Sequence, residues 1–484
     1  MEEEFQELCK NGNLDEIKQL LNEHTVDIHA KCELGFTNAC ESGNIPTIKF
    51  LLEYAISINS PIDIHANDER GFAWVCKSGN IPAIKFLLEY AISINSPIDI
   101  HTDDERGFSN ACLSGNIPAI KFLLEYAISI NSPINIHADY EEGFTCACLS
   151  GDILAVKLLL KYAVSINSPI DIHAYDEQGF ACACRSGKIS TIKFLLEYAI
   201  TIDSPIDIHV NNERGFRYAC CSGNIDLVKF LIDYAISIDS PIDIHAYNEC
   251  GFMNACQSGN IDLVKFLINY AISIDSPIDI HVNNERGFRY ACCSGNIDLV
   301  KFLIDYAISI DSPIDIHAYN ECGFMNACQS GNIELVEFIL DYAMSINSPI
   351  DIYTHGGWAF VTACQSGNIE IVELLIGITK SIDIHTHNDW SFVDACEKGN
   401  IKLVEFLINY AISTDSPINI HTHNNRVFKY VCENNKQQLI QILIDESKFT
   451  PIKYLYDNSN KMGYIFSSDF TDKTRDVYNY KNTL

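Results

Sequence analysis

The sequence lacks the features that mark several large classes of protein. Among its 484 residues no run of apolar side chains reaches the roughly 18 needed to span a bilayer, so we expect no contact with membranes. The chain starts Met1-Glu2-Glu3-Glu4, unlike the basic start of a signal peptide, so we expect it not to be secreted. Lys and Arg number only 33 against 64 Asp and Glu, and the net charge of −31 argues against binding nucleic acid.

Motifs for catalysis are also missing. The chain has no glycine-rich phosphate loop, no His-Glu-x-x-His and no nucleophile elbow. The recurring Ser-Gly-Asn has no base at a fixed offset. We therefore expect no enzyme activity and no cofactor.

Cysteine is abundant, with 20 residues, but no Cys-x-x-Cys occurs. Thirteen of the cysteines stand at one position of a repeat, so neighbours should lie one repeat apart. That distance is about 8–10 Å for packed helices, whereas a disulfide needs Cα atoms within about 7 Å. We therefore expect small buried thiols, with no metal site.

The most informative feature present is a tandem repeat. The sixty residues Ile202 to Ile261 recur without change at Ile274 to Ile333, and the rest of the chain is a looser version of the same 36-residue unit. Such a period is typical of a solenoid. A Cys three residues before Gly or its equivalent marks thirteen repeats: Cys9, Cys40, Cys76, Cys112, Cys148, Cys184, Cys220, Cys256, Cys292, Cys328, Cys364, Cys396 and Cys432.

Each repeat is predicted to contain two helices, which makes the fold all-α. The first helix runs from about Phe72 to Ser78 and ends at Gly79, and the second begins at Ile81 after the capping residue Asn80. The second helix is apolar on most sides, so it needs neighbouring repeats to cover it. Two shorter repeats lack the stretch Ala-Ile-Ser-Ile-Asn-Ser-Pro, which we therefore interpret as an insert outside the packed frame.

The repeat resembles an ankyrin repeat. Asp63-Ile64-His65-Ala66 resembles that family's Asp-Val-Asn-Ala, Phe72 to Gly79 has the spacing of its Leu-His-x-Ala-Ala-x-x-Gly, and Ile84 to Leu88 resembles its Val-Val-x-Leu-Leu-Leu. The resemblance covers residues 1–445 and leaves residues 446–484 as a tail. It implies a helical solenoid of about 13 tandem repeats in which the hairpin between repeats is reduced to a short turn.

The runs of Asn-Ala-Cys-x-x-Gly-Asn-Ile and Ile-Asp-Ile-His are most similar to the ankyrin-repeat proteins of giant amoebal, mimivirus-type viruses. By this analogy the chain would be a viral protein that acts in the host cytoplasm. We expect a monomer.

The resemblance also implies a function, that of a non-enzymatic scaffold or adaptor that binds another protein. In the family, the turn tips and first helices line the concave face that grips partners, and here those positions vary most from repeat to repeat. Arg, Tyr, Trp and Met are enriched at the centres of interfaces. The acidic charge favours a partner with a basic surface. The predicted partner-binding residues are Trp74, Arg217, Tyr218, Met253, Arg289, Tyr290, Met325, Trp358, Trp390 and Tyr430.

Two other functions stay open at this point. Helical repeats of this length can also read RNA one base per repeat, although the charge opposes it. The array could instead be a structural spacer without a specific ligand.

Histidine recurs beside Asp-Ile in most repeats, as in His65 and His101, and we predict that it forms a hydrogen bond across the turn towards the next repeat. A ladder that titrates near neutral pH is the alternative. A second group, His355, His387 and His423, occurs only in the last three repeats and could form a weak metal or pH-sensitive patch near Trp358 and Trp390.

Overall fold

The structure is a computed structural model that describes residues 2–23, 25–379, 384–414, 416, 418, 453–456 and 462–465. These residues form 24 α-helices and one antiparallel pair of strands. The helices are α1 Glu2–Asn11, α2 Leu14–Glu23, α3 Ala30–Ser42, α4 Ile45–Ser57, α5 Ala66–Ser78, α6 Ile81–Ser93, α7 Thr102–Leu113, α8 Ile117–Ser129, α9 Ala138–Ser150, α10 Ile153–Ser165, α11 Ala174–Ser186, α12 Ile189–Thr201, α13 Val210–Cys221, α14 Ile225–Ser237, α15 Ala246–Ser258, α16 Ile261–Ser273, α17 Val282–Ser294, α18 Ile297–Ser309, α19 Ala318–Ser330, α20 Ile333–Ser345, α21 Thr354–Ser366, α22 Ile369–Thr379, α23 Thr386–Lys398 and α24 Ile401–Ser413.

The helices alternate between a first and a second helix of each repeat, which confirms the predicted all-α repeat solenoid. Twelve helix pairs are present, and the thirteenth predicted repeat, around Cys432, lies outside the described residues. The chain divides into two compact units, Met1–Tyr319 and Asn320–Leu484. None of the helices in the described ranges has the length and apolarity needed to cross a bilayer.

The predicted tail contains the two strands, β1 Lys453–Tyr456 and β2 Met462–Ile465, with Lys453 opposite Ile465 and Tyr456 opposite Met462. The proposed boundary between residues 445 and 446 falls in a part of the chain that the structure does not describe, so it stays a prediction.

Most of the second helices begin at an asparagine that makes two contacts, whereas α10 begins at Asp152 and α12 at Lys188. The side-chain oxygen of Asn224 accepts hydrogen bonds from the backbone N–H groups of Asp226 and Leu227, both at 3.1 Å, which caps α14 as predicted. Its amide nitrogen donates to the carbonyl oxygen of Gly187 in the preceding repeat, at 2.8 Å. An asparagine therefore both starts a helix and ties two repeats together, which Asp could not do because a carboxylate has no hydrogen-bond donor.

The core between first helices is a column of phenylalanine packed against glycine. Phe36, Phe72, Phe108 and their equivalents are almost fully buried. A Cβ placed on Gly107 would lie 2.6 Å from Cε1 of Phe72, closer than van der Waals contact allows. The glycine is thus required by the ring of the preceding repeat.

A third ladder runs along the outer side of the second helices. Lys193 Nζ lies 4.9 Å from the ring centroid of Phe230, and Lys229 Nζ lies 5.2 Å from that of Phe266, so each lysine covers a ring of the following repeat. Within a helix, that phenylalanine also packs on the tyrosine four residues later, as in Phe230 and Tyr234.

The predicted role of the insert is wrong. Its first residues form the last turn of the second helix, where Ala55 is fully buried, and its serine takes part in the contact between repeats described below. The second helices of the two short repeats, α2 and α22, have 10 and 11 residues instead of 13. The length difference therefore lies in the packed last turn of the second helix and not outside the packed frame.

Candidate functional site

The turn that begins each repeat is an unusual piece of backbone. Asn67, Asp68 and Glu69 have φ angles of 54°, 54° and 59°, so three consecutive residues other than glycine are left-handed. Each left-handed residue costs roughly 1–2 kcal/mol, less for Asn and Asp, whose side chains bond locally. This single left-handed turn replaces the hairpin and confirms that the connection is reduced. The right-handed first helix starts immediately after it.

Histidine and glutamate hold this turn in place. His65 Nδ1 lies 2.7 Å from Oε1 of Glu69, and His65 Nε2 lies 2.8 Å from Oγ of Ser96 in the insert that follows the second helix. The same Oε1 of Glu69 accepts the backbone N–H of Asp99 at 3.1 Å. The predicted histidine hydrogen bond is therefore confirmed, and it is one part of a buried cluster that we call the histidine junction.

The histidine junction recurs with nearly constant geometry in the first compact unit. Eight His–Ser contacts of 2.7 to 3.0 Å are present there. The glutamates are buried while each histidine is about one-third exposed. The left-handed conformation of the glutamate costs free energy, and the hydrogen bonds of its carboxylate to the histidine and to the next repeat offset that cost.

The two residues ahead of the buried glutamate point to solvent, and we call them the turn tips. They carry the most exposed aromatic side chains of the first compact unit: Tyr140 is 72% exposed, Tyr175 65%, Tyr247 63% and Tyr319 63%. The remaining tips in that unit are mostly Asn or Asp. The rings of Tyr140 and Tyr175 lie 6.0 Å apart. The sequence reasoning missed these tyrosines because it ranked the first-helix positions above the turn.

The predicted arginines support these tips. Arg217 donates from Nε to the carbonyl oxygen of Asn212 and from Nη2 to that of Asn211, both at 2.8 Å. Its guanidinium also lies 4.8 Å from the ring centroid of Tyr247 in the next repeat. Arg289 repeats this arrangement over Tyr319 at 4.7 Å. Both arginines therefore brace a left-handed turn and orient a tip tyrosine.

The other predicted aromatic residues in the first compact unit are half-buried. Trp74 lies beneath Nζ of Lys77 at 4.0 Å, and Tyr218 faces the guanidinium of Arg185 at 5.8 Å. Tyr290 accepts a hydrogen bond from Nε of Arg286 at 2.9 Å. Each of these rings is thus partly exposed and lies next to a cation.

Two of the predicted partner-binding residues are wrong as surface residues. Met253 is 3% and Met325 is 8% exposed, because this first-helix position faces the adjacent first helix and an unbranched side chain fills the space. Arginine at the same position reaches out along the surface. In the second compact unit Trp358 and Trp390 are half-buried and make contacts of their own. Tyr430 lies outside the described residues.

No metal site forms among the residues that the structure describes, where no three His, Cys, Asp or Glu side chains converge. His355 stands at a turn tip, but the side chain of His387 and all of His423 fall outside the described part, so the patch predicted from these three residues stays a prediction.

The cysteine column is buried as predicted. All twelve of its described members are at most 1% exposed, and burial raises the pKa of Cys220 well above its ordinary value and that of Cys364 to about 12. A buried neutral thiol is neither a ready nucleophile nor a ready metal ligand. The column serves packing.

The comparisons with known proteins concern the repeat. A family model described as ankyrin repeats (3 copies) matches residues 144–242, 181–278, 216–314 and 288–388, which together span more than half of the chain. No curated protein sequence matches. Among solved structures, the pentatricopeptide repeat protein PPR10 from maize matches with 10% identity and a TM-score of 0.30, covering 91% of this chain and 68% of that one. The same protein in complex with an 18-nt psaJ RNA element matches with 9% identity and a TM-score of 0.32, covering 92% and 68%.

Proposed function

The chain belongs to the ankyrin-repeat family, and on that premise we propose that it is a non-enzymatic protein-interaction scaffold whose partner binds the turn tips and the adjoining first-helix side chains. The observation that carries this proposal is the row of exposed tyrosines at Tyr140, Tyr175, Tyr247 and Tyr319. Tyrosine and asparagine give large, adaptable contacts at low entropic cost, which is why they dominate the binding loops of antibodies.

Rigidity supports this assignment. The histidine junction fixes the backbone on one side of each tip, and Arg217 and Arg289 fix the carbonyl oxygens of two of them. A surface that is already ordered loses little conformational entropy when it binds. The tips therefore combine variable side chains with an invariant support.

The charge of the tips indicates the kind of partner. Asp68, Asp103, Asp104, Asp139 and Asp176 are exposed at or beside the tips of consecutive repeats. A surface with tyrosines among carboxylates favours a protein whose contact surface is rich in Lys and Arg, and electrostatic attraction accelerates its association.

The test uses a displayed library of protein fragments selected against the full chain. The triple variant Tyr140→Ala, Tyr175→Ala and Tyr247→Ala should lose most of the selected binding, because aromatic anchors carry most of the energy of an interface. A matched control replaces three exposed side chains of second helices, Lys121→Ala, Lys161→Ala and Asn269→Ala, and should bind as the parent does.

Undiminished binding by the tyrosine variant would refute the assignment to the turn tips. A chain that selects no fragment at all would be a spacer. Binding of a mixed RNA pool at physiological salt, measured by a mobility-shift assay, would favour the RNA-binding alternative.

The histidine junctions raise the question of catalysis, because their order Ser–His–carboxylate is also that of hydrolases. We assign them to the frame, since one glutamate oxygen binds both the histidine and a backbone N–H of the next repeat. A fluorophosphonate probe should therefore leave Ser240 unlabelled. Labelling that Ser240→Ala abolishes would overturn this.

A further inference from the structure

The last turn of the second helix leaves a recurring apolar feature on the surface. Two residues per repeat, separated by one serine or, in α12, by Thr201, are between 44% and 60% exposed, although all are large and aliphatic. We call them the insert band, and within the first compact unit they are Ile56, Ile58, Ile92, Ile94, Ile128, Ile130, Val164, Ile166, Ile200, Ile202, Ile236, Ile238, Ile272, Ile274, Ile308 and Ile310.

Stacking of the second helices brings these pairs into register, because α4 packs on α6, α6 on α8 and so on through α18. The pairs are therefore one repeat apart, and the band extends along eight repeats. Aliphatic side chains exposed singly are normal on proteins, but a row of paired, half-exposed ones along eight stacked repeats is typical of an interaction site.

In the later part of the band, exposed acidic residues both precede and follow the apolar pair along the chain. Glu197, Asp233 and Asp305 are exposed three residues before the first apolar residue of their repeats. Asp203, Asp239, Asp275 and Asp311 are exposed directly after the second, in the left-handed position that ends the helix. These seven carboxylates outnumber the four lysines of the same second helices, Lys193, Lys229, Lys265 and Lys301, of which the first three lie over phenylalanine rings of the following repeats.

The spacing of the band limits the shape of its occupant, and its aliphatic character then decides between the two shapes that fit. Packed helices lie about 8–10 Å apart, and seven residues of an α-helix rise about 10.5 Å, so a helix lying along the array would present one heptad to each repeat. A polyproline segment could match the spacing, but such segments dock in aromatic-lined grooves, whereas this band is aliphatic.

We propose that the insert band, from Ile200 to Ile310, is a second docking surface, which binds an amphipathic helix of a partner protein with an apolar heptad stripe flanked by Lys and Arg. Charge complementarity decides this occupant: a second copy of the chain would bring its own rows of carboxylates against these, at a net charge of −31 on each chain. The proposal does not depend on the turn tips.

The experiment measures binding of the full chain to designed 28-residue peptides by fluorescence anisotropy. One peptide has Leu at heptad positions a and d with Lys at e and g, and the other has Glu in place of each Lys. The Lys peptide should bind and weaken with added salt, while the Glu peptide should not bind. The variant Ile200→Ser, Ile202→Ser, Ile236→Ser and Ile238→Ser should lose affinity for the Lys peptide by about tenfold or more, since four half-exposed side chains no longer contribute apolar area.

The variant's circular dichroism should match the parent and its thermal unfolding should fall only modestly, because all four side chains are between 45% and 60% exposed. The triple tyrosine variant of the turn tips serves as control and should bind the Lys peptide unchanged, so failure of one surface is distinguishable from failure of the other. Equal binding of both peptides, or an unaffected serine variant, would overturn the proposal. Sedimentation that shows dimers of the parent but not of the serine variant would also overturn it, in favour of a second copy.

Discussion

The turn tips and the histidine junctions lie side by side in every full repeat of the first compact unit, yet they follow opposite rules. Glu249 is buried and its carboxylate joins two repeats, whereas its neighbour Asn248 is exposed and differs in identity from repeat to repeat. One left-handed turn thus contains two exposed residues that vary between repeats, followed by a buried glutamate that recurs. On the proposed function, the array separates stability from recognition within three residues, so that changes to one should leave the other intact.

The largest effect should come from breaking the phase of the repeat. Deleting residues 226–261 removes one period and rejoins equivalent points, so the junctions and caps can reform. Deleting residues 226–243 removes half a period and sets mismatched faces against each other. Circular dichroism and thermal unfolding should show a folded first variant and a disrupted second one, and equal behaviour of the two would contradict the repeat frame.

Adjacent cysteines allow a sharp test of buried against exposed positions. Burial raises the pKa of Cys220, whereas Cys221 is exposed. A thiol reagent at pH 8 should label Cys221 and leave Cys220 unmodified until the chain is unfolded, as read by peptide mass spectrometry. Because the raised pKa belongs to the folded state, stability from this thiol is complete below the pKa of an unfolded cysteine and declines at higher pH. Rapid native labelling of Cys220 would be incompatible with the packed column.

Substitution within a single turn separates the two rules directly. Glu249→Ala removes the acceptor for His245 and for the backbone N–H of Asp279, and should lower the free energy of unfolding by about 1–3 kcal/mol. Asn248→Asp, a residue found at other tips, should change it by less than about 0.5 kcal/mol. Urea unfolding measures both, and similar losses for the two variants would remove the distinction.

Two glycines offer a matched pair of substitutions, one of which should have an effect of similar size. A Cβ on Gly215 would lie 2.6 Å from Cε1 of Phe180, so Gly215→Ala should cost about 1–3 kcal/mol by overpacking. Gly377 in α22 has nothing within 4 Å of such a Cβ, and Gly377→Ala should be neutral or stabilising by up to about 1 kcal/mol. The signs of the two changes in urea unfolding provide the check.

The smallest effect should be a gain. Lys188 stands where other repeats have the capping asparagine and makes no cap, while Thr191 donates to the carbonyl oxygen of Gly151 at 2.7 Å. Lys188→Asn should restore the helix cap and stabilise the chain by about 1 kcal/mol. The new asparagine amide would also donate to the carbonyl oxygen of Gly151, as Asn224 does to that of Gly187. Thr191→Ala should therefore lose less stability in this background than in the parent.

Much of the fold can be predicted from the sequence, because positions that are needed for packing recur in each repeat. The period, the left-handed Gly79, the cap at Asn80 and the buried thiol of Cys76 all occupy positions that recur. Recurrence reveals what stacking requires, and it does so without any knowledge of the coordinates.

Variation proved a weaker guide to the surface. Arg217 and Met253 occupy equivalent positions, yet the arginine extends to the carbonyl oxygens of its turn while the methionine is 3% exposed. Sequence variation between repeats therefore does not distinguish a position that faces solvent from a buried position where each repeat packs a different side chain. The variable turn positions of Tyr140 and Tyr247 can be read from the sequence. Their exposure follows from the left-handed backbone, which only the structure shows.

The stacking of Arg217 on Tyr247, and of Arg289 on Tyr319, bears on how such an array is inherited. The sixty-residue block Ile202 to Ile261 contains both members of the first pair, and its copy contains both members of the second. A recombination event that copies two repeats in register therefore copies both the arginine and the tyrosine of the contact. Lineages carrying this gene can lengthen or shorten the protein in pairs of repeats without having to evolve a new joint.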